Sequence, residues 1–329
     1  MEFQFLGTAS GTPSKTRNVS GLALRLSGSA HWSLVDCGEG TQHRILHTSW
    51  SLHDLRAIFI THLHGDHCYG LPGLLASAGT LNRSAPLALV GPPDLKSFVE
   101  GVMASTRLGL PYALEFVDVR ALDAAGQPDL ALLPDLAVRA TTLSHRVPCW
   151  AYGFEERSVE RHLDGERLRA AGVGPGPAWG QLRRGEDASL PDGRLLRADD
   201  FLLAPRKPRK LIVAGDNDQP GLLVDEARSA EVLIHEATYT DAVLRKVGPA
   251  PRHSSAAMTA RAAAAAGVPN LVLTHFSPRY QDLERKPGDG LSMRDIEVEA
   301  RAQYAGRLFL ARDLERYALD RQGVLSRIG

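Results

Sequence analysis

The stretch AIFITHLHGDHCYGL, residues 57 to 71, limits what this chain can be more than any other. An apolar run with the length of a buried strand ends in His62, His64, Asp66 and His67, four ligand-grade side chains within six positions. Lys or Glu would serve solubility better, so the cluster points to metal ligation rather than to a solvated loop. His62 and His64, two apart on a strand-like exit, can point the same way and grip one ion. Asp66 and His67, past the turn at Gly65, can face a second. A site of this kind needs more ligands, and the rest of the chain must supply them.

Other apolar runs end in the same way. SLVD closes on Asp36, TTLSH on His145, KLIVAGD on Asp216, LIHE on His235 and Glu236, and LVLTH on His275. In layered α/β folds the ligand crevice lies outside the carboxyl ends of the strands, so these endings are expected to converge on one rim. His145 and His275 would then complete one ion each, with Asp216 bridging both. Such a bridged pair polarises a phosphoryl oxygen and supplies hydroxide at neutral pH. Cys-rich sites are usually closed and structural, so a candidate ligand set of His and Asp alone agrees with a catalytic site. Asp36 serves either as a turn former before CGEGTQ or as a support behind a ligand. His31, His43, His47, His53 and His162 have no comparable context and read as surface or helix residues.

The runs FQFLG, LALRL, HWSLVD, AIFITH, LALVG, LAVRATTLSH, YGFE, KLIVAGD, EVLIHE, NLVLTH and RLFLA predict strands. Between several of them GLPGLLASAGTL, PDLKSFVEGVMAST, SSAAMTARAAAAAGV and MRDIEVEARAQYA predict helices, giving an α/β layered fold. At 329 residues and 43% hydrophobic, the chain can bury a sizeable core. The formal charge is zero, 38 basic against 38 acidic, so a polyanionic partner must be held by a local patch. Cysteines 37, 68 and 149 form no CxxC, which suits a reducing compartment. The start MEFQFLGTAS is acidic where a signal peptide is basic, and no apolar run approaches the roughly 18 residues of a membrane span. A cytoplasmic protein with no membrane partner is the expectation.

From about residue 155 to 208 the composition changes to Gly, Pro and Arg, with one helix expected at SVERHLDGERLRAAG. Residues 157–210 hold twelve basic against eight acidic side chains, a local excess of +4. This reads as an insertion protruding from one main domain that spans 1–329.

The chain resembles the ribonuclease Z family, bacterial short form, within the metallo-β-lactamase superfamily. THLHGDH is the superfamily signature. FLGTASGTPSKTRN, LVDCGEGTQHRIL, LSHRVPCWAYGF, IVAGDN, LIHEATY, RHSS and LVLTHFSPRY extend the resemblance nearly end to end. The resemblance implies a four-layer αββα sandwich with an inserted exosite arm, two zinc ions per subunit, a homodimer, and hydrolysis of precursor tRNA at its 3′ side. Spacing does not choose zinc over manganese or iron. By similarity, His62, His64 and His145 hold one ion, Asp66, His67 and His275 the other, and Asp216 lies between them. Asp66 also takes a proton from the attacking water. His253 of RHSS assists the leaving oxygen and is positioned by Glu236 of HEAT, a pairing that makes imidazole a competent acid at neutral pH.

Lys15, Arg17 and Asn18 of PSKTRN, with Phe276, Ser277 and Arg279 of FSPRY, would meet the substrate near the cut. In the insertion, Gly174, Pro175, Gly176 and Pro177 resemble the GP-type arm that clamps tRNA, with Arg167, Arg169, Arg183 and Arg184 as phosphate contacts. Asn217 stands where the family usually has Thr, a change expected to matter little. Two other readings fit the metal cluster: a phosphodiesterase of the same fold acting on small phosphodiesters, and an RNA-binding protein whose metal serves stability alone.

Overall fold

The computed structural model describes residues 1–122, 130–282 and 290–328. In chain order the strands are β1 (Glu2–Gly7), β2 (Gly21–Arg25), β3 (Trp32–Val35), β4 (Leu55–Phe59), β5 (Leu87–Gly91), β6 (Leu114–Asp118), β7 (Leu136–Leu143) and β8 (Cys149–Glu156). After these come β9 (Ala188–Ser189), β10 (Leu195–Leu196), β11 (Lys210–Ala214), β12 (Val232–Glu236), β13 (Asn270–Thr274), β14 (Arg307–Leu310), β15 (Arg316–Leu319) and β16 (Leu325–Ile328). One sheet runs β16-β15-β1-β2-β3-β4-β5-β6 and a second runs β14-β13-β12-β11-β8-β7, while β9 and β10 form a separate pair.

Alternation along each central strand decides the layering. In β4, Ala57 and Phe59 enter the core between the two sheets, and Ile58 faces the other way. In β12, Val232 and Ile234 join that same core, while Leu233 packs on the opposite face. Because both faces are buried, the strands read as continuous apolar runs rather than as alternating ones. The outer face of the first sheet is covered by helices Leu71–Thr80 and Asp94–Thr106. The outer face of the second is covered by Ala256–Ala266 and Met293–Arg301. The result is an α/β/β/α sandwich.

Local chemistry sets the helix ends. Ser255 Oγ accepts from the Met258 N–H at the start of Ala256–Ala266, and Gly267, with φ 68°, closes it in the left-handed region. The helix expected over SVERHLDGERLRAAG is shorter, Gly165–Ala170. Asp164 caps it by accepting from the Arg167 N–H, and the residues before it are drawn out, with Leu163 bridging Leu202. Tertiary pairing thus overrides the helical propensity of that segment.

The chain divides into two compact units, residues 1–155 with 209–329, and residues 156–208. The smaller unit has its own apolar cluster of Leu168, Val173, Leu182, Ala188, Leu196, Ala198 and Phe201. It contains a helix that composition did not announce, Pro177–Arg183, opened by Pro177 in the first turn, where its missing N–H costs nothing.

Phe59 joins the two sheets most directly, its ring centroid 5.1 Å from Tyr152 and 5.0 Å from Phe154. Phe59→Ala is expected to lower stability by about 3–5 kcal/mol, read as a fall in the urea midpoint with the slope unchanged.

Candidate metal centre and catalytic cleft

The strand endings do meet. Asp36 follows β3, His62 follows β4 by three residues, Asp216 follows β11, Glu236 ends β12 and His275 follows β13. His145 follows β7 by two residues, and His253 arrives from a loop. Asp36 (φ 59°), His275 (φ 57°) and Arg252 (φ 53°) are left-handed non-glycine residues, each a backbone strain of order 1–3 kcal/mol that the surroundings must impose. For Asp36 the imposing contacts are the Thr61 N–H at 2.8 Å and the Thr61 hydroxyl at 3.0 Å, both donating to its carboxylate. Gly38 is required beside it, since a Cβ there would lie 2.3 Å from the Asp66 carbonyl oxygen.

Two donor groups face each other across Asp216. Its Oδ2 lies 3.6 Å from both His62 Nε2 and His145 Nε2. Its Oδ1 lies 3.4 Å from His67 Nε2 and 3.3 Å from His275 Nε2. His64 Nδ1 completes the first group, 3.2 Å from His62 Nε2 and 3.1 Å from His145 Nε2. Asp66 Oδ2 completes the second, 3.4 Å from His275 Nε2 and 3.6 Å from His67 Nε2. These separations of 3.1 to 3.6 Å bracket the edge of about 3.3–3.4 Å that follows from a tetrahedron with 2.0–2.1 Å bonds.

Hydrogen bonds on the far side of each ring decide which nitrogen carries the proton. His145 Nδ1 donates to the Arg252 carbonyl at 2.8 Å, and His67 Nδ1 to Asp36 Oδ2 at 2.7 Å. The Thr61 hydroxyl gives its own hydrogen to Asp36 and so accepts from His62 Nδ1 at 3.0 Å. Likewise the Thr238 hydroxyl donates to Glu236 and accepts from His275 Nδ1 at 3.0 Å. All four Nε2 lone pairs are thereby aimed inward, where they repel one another unless a cation or a proton lies between them. Burial holds His62, His64 and His145 below the usual imidazole range, in the neutral form that binds metal. Burial opposes charge on His67 too, but Asp216, Asp36 and Asp66 outweigh it and raise its pKa well above normal. The residues therefore fit divalent metal.

Beside this pair stands His253, its Nδ1 3.1 Å from Glu236 Oε1. Burial works against its charge, and the Glu236 and Asp216 carboxylates raise it to about 9. Glu236 is fixed from three sides: the Asn217 N–H at 2.7 Å, the Ser254 N–H at 3.2 Å and the Thr238 hydroxyl. Asn217 hydrogen-bonds through both ends of its side chain. Its Oδ1 accepts from the Ser144 and Gln219 N–H groups at 3.3 and 3.0 Å, and its Nδ2 meets His235 Nε2 at 3.1 Å. His235 is thus spent on internal bonds, its Nδ1 also reaching the Glu236 carbonyl at 2.9 Å, and it does not join the rim.

The structure revises part of the expected substrate set. Arg17 is buried, with Nη2 2.5 Å from Asp282 Oδ1 and Nη1 2.7 Å from Thr8 Oγ1 and 2.8 Å from the Ala311 carbonyl, so it braces its loop instead of facing a ligand. Phe276 lies in the core beneath that guanidinium, 4.9 Å from ring centroid to Cζ. Asn18 donates to the Glu39 carbonyl at 2.9 Å, and Ser277 is buried. Lys15 is exposed. Arg279 is exposed as well, lying over the Tyr239 ring. In the smaller unit Gly174, Gly176 and Pro177 line a pocket with Arg194, and Pro175 is exposed between them. Arg184 is paired with Glu186 at 2.7 Å, and Arg167 and Arg169 lie over Phe201 and Trp179, leaving Arg183 as the unpaired one of the four among the described residues. Thr61, Thr238, Arg252 and the Gly11 N–H, which donates to Asp66 Oδ2 at 2.7 Å, carried no signal in the sequence.

Comparison with known proteins settles the lineage. The chain is 51% identical over 328 residues to the ribonuclease Z of Marinobacter nauticus, covering 100% of this chain and 99% of that one. The chain belongs to the ribonuclease Z family. The ribonuclease Z of Pseudomonas putida strain GB-1 is 49% identical over 331 residues, with both chains fully covered. The crystal structure of human tRNase Z, short form, superposes with a TM-score of 0.65 at 25% identity, covering 97% of this chain and 100% of that one. A family model described as Anti-Pycsar protein Apyc1 matches residues 1–103, the segment with the histidine cluster. The expected metallo-β-lactamase sandwich is the fold observed.

Since Asp36 both orients His67 and supplies it with negative charge, Asp36→Asn is expected to weaken divalent-metal binding about 10–100-fold, measured by competition with a chromogenic chelator.

Proposed function

We propose that this chain hydrolyses one phosphodiester at the 3′ side of precursor tRNA, leaving a 3′-hydroxyl on the tRNA and a 5′-phosphate on the released trailer. It is a tRNA 3′-processing endoribonuclease. The observation that carries the mechanism is Asp216, whose two oxygens serve two separate three-ligand groups beside a buried imidazole–carboxylate pair.

In this reading His62, His64 and His145 hold one divalent ion, Asp66, His67 and His275 the other, and Asp216 both, with zinc as the first candidate. Such a pair, when bound, activates water and offsets charge on the phosphoryl oxygens. Asp66 directs Oδ2 at His67 and His275 and receives the Gly11 N–H on the same oxygen, which leaves Oδ1 to accept a proton from the incoming water. His253, kept protonated by Glu236, gives its proton to the departing 3′ oxygen. Glu236 and Asn217 act through His253 as positioning residues. Lys15 and Arg279, exposed on the loops that carried the family motifs, are the side chains placed to meet phosphate.

The smaller unit, 156–208, we assign to holding the tRNA body, with Arg183 and the Gly174–Pro177 segment as its contacts. RNA of A form is read by shape and backbone, which suits a local arm on a chain with no net charge. A homodimer, in which one subunit's arm serves its partner's site, completes the proposal. Three buried free thiols agree with a reducing cytoplasm. Among the described residues no helix is long and apolar enough to cross a membrane.

The test is to incubate metal-loaded protein with precursor tRNA and map both new ends. One cut with the termini given above supports the reading, and random cuts or none refute it. Asp66→Ala is expected to reduce the rate by about a thousandfold. Removal of 156–208 should abolish cleavage of the tRNA precursor while sparing hydrolysis of bis-nitrophenyl phosphate.

His253 has its own signature. A nitrophenolate leaves without a proton, whereas a ribose oxygen needs one. His253→Ala should therefore cost about 10²–10⁴-fold on precursor tRNA and little on the nitrophenyl ester; equal losses on both substrates would remove His253 from the role of acid.

A further inference from the structure

Across the chain, aromatic side chains are placed inside. Phe3, Phe5, Phe59, Tyr152, Phe154, Phe276 and Tyr317 are fully buried or nearly so. Phe98, Phe116, Trp179 and Phe309 are half-buried, and Tyr69, 65% exposed, is the one exposed Phe, Tyr or Trp among the described residues. It stands two residues beyond His67, on the wall of a cleft of about 470 Å³ that also reaches His64, Asp66, Asp216 and His253. A large apolar ring left in water at the mouth of a catalytic cleft is a binding feature until shown otherwise.

Its position is fixed rather than loose. A Cβ on residue 65 would lie 2.2 Å from Tyr69 Cε2, so the ring rests against the bare backbone of Gly65, a placement that a larger residue would forbid. Phe98 flanks it, with centroids 6.5 Å apart and planes 24° from parallel. No hydrogen bond holds the Tyr69 hydroxyl among the described residues, so the ring, not the hydroxyl, accounts for the site. A cation lines the same cleft. Arg146, directly after His145, is exposed and has no ion-pair partner among the described residues.

An aromatic ring and an unpaired guanidinium beside a phosphodiester-cutting centre match one nucleotide unit, a base for the ring and a phosphate for the cation. Stacking on a fixed aromatic accepts every base, because every base has a π-face, and RNA is read mostly where bases are splayed out of a helix. We infer that Tyr69 stacks on the base of a nucleotide flanking the cut, with Arg146 holding the adjoining phosphate. This rests on the proposed ribonuclease activity and adds the feature that aligns the strand across the metal pair. Tyr69 touches no reacting atom and acts as a positioning residue.

A double-mutant cycle tests the inference. Tyr69→Leu and Tyr69→Phe are assayed on precursor tRNA that is intact or abasic at the nucleotide on either side of the cut. Stacking predicts that Tyr69→Leu lowers kcat/KM about tenfold on intact RNA, mainly through KM, while Tyr69→Phe stays within about twofold. An abasic site at the stacked position should cost a similar factor and make Tyr69→Leu silent. Losses that simply multiply, or no loss from Tyr69→Leu on intact RNA, would overturn the inference and leave the cleavage reaction standing. Failure of the unaltered protein to cut precursor tRNA would instead overturn the proposed function, and this inference with it.

Discussion

Five imidazole lone pairs and two carboxylates crowd into one largely buried space, and most of the unusual local structure exists to keep them there. Each Nε2 of His62, His67, His145 and His275 points inward because the opposite nitrogen is tied to Thr61, Asp36, the Arg252 carbonyl or Thr238. The Asp216, Asp36 and Asp66 carboxylates raise the pKa of His67, and the same concentration of negative charge suits a bound cation.

The scaffold's contribution is to hold the centre in place. Strands buried on both faces place Asp216, Glu236 and His275 at one edge, and the parallel pairing of β11, β12 and β13 fixes their relative height. The left-handed backbone at Asp36, Arg252 and His275 is affordable only where neighbouring hydrogen bonds over-determine it. Arg17, Thr8 and Asp313 form a second brace beneath the loop that carries Gly11 to Asp66. Residues that a motif would assign to substrate thus turn out to hold the loop that shapes the cleft.

Division of labour within the cleft follows from burial. The deepest groups, Glu236 and Asp216, have fixed charge and no freedom. His253, nearer the opening, can exchange a proton. Tyr69 and Arg146 face solvent and are free to meet a ligand. The gradient from rigid charge to open aromatic is what a phosphodiesterase for a large, flexible strand requires: the chemistry is preorganised, and the substrate is gathered by groups that tolerate variety.

Much of this was written in the chain itself. Apolar runs ending in His62, Asp216 and His275 announced both the strands and the rim, because strand periodicity and ligand chemistry are local properties of residue type. The change of composition after residue 155 falls where the second compact unit, 156–208, begins. Tertiary structure decided which nitrogen of His67, His275 and His145 faces inward, since that depends on Asp36, Thr238 and the Arg252 carbonyl arriving from distant segments. It also decided that Arg17 is buried while Tyr69 is exposed, against the usual preference of both residue types. Burial and hydrogen-bond partnership are relations between segments far apart in the chain, and no window of sequence contains them.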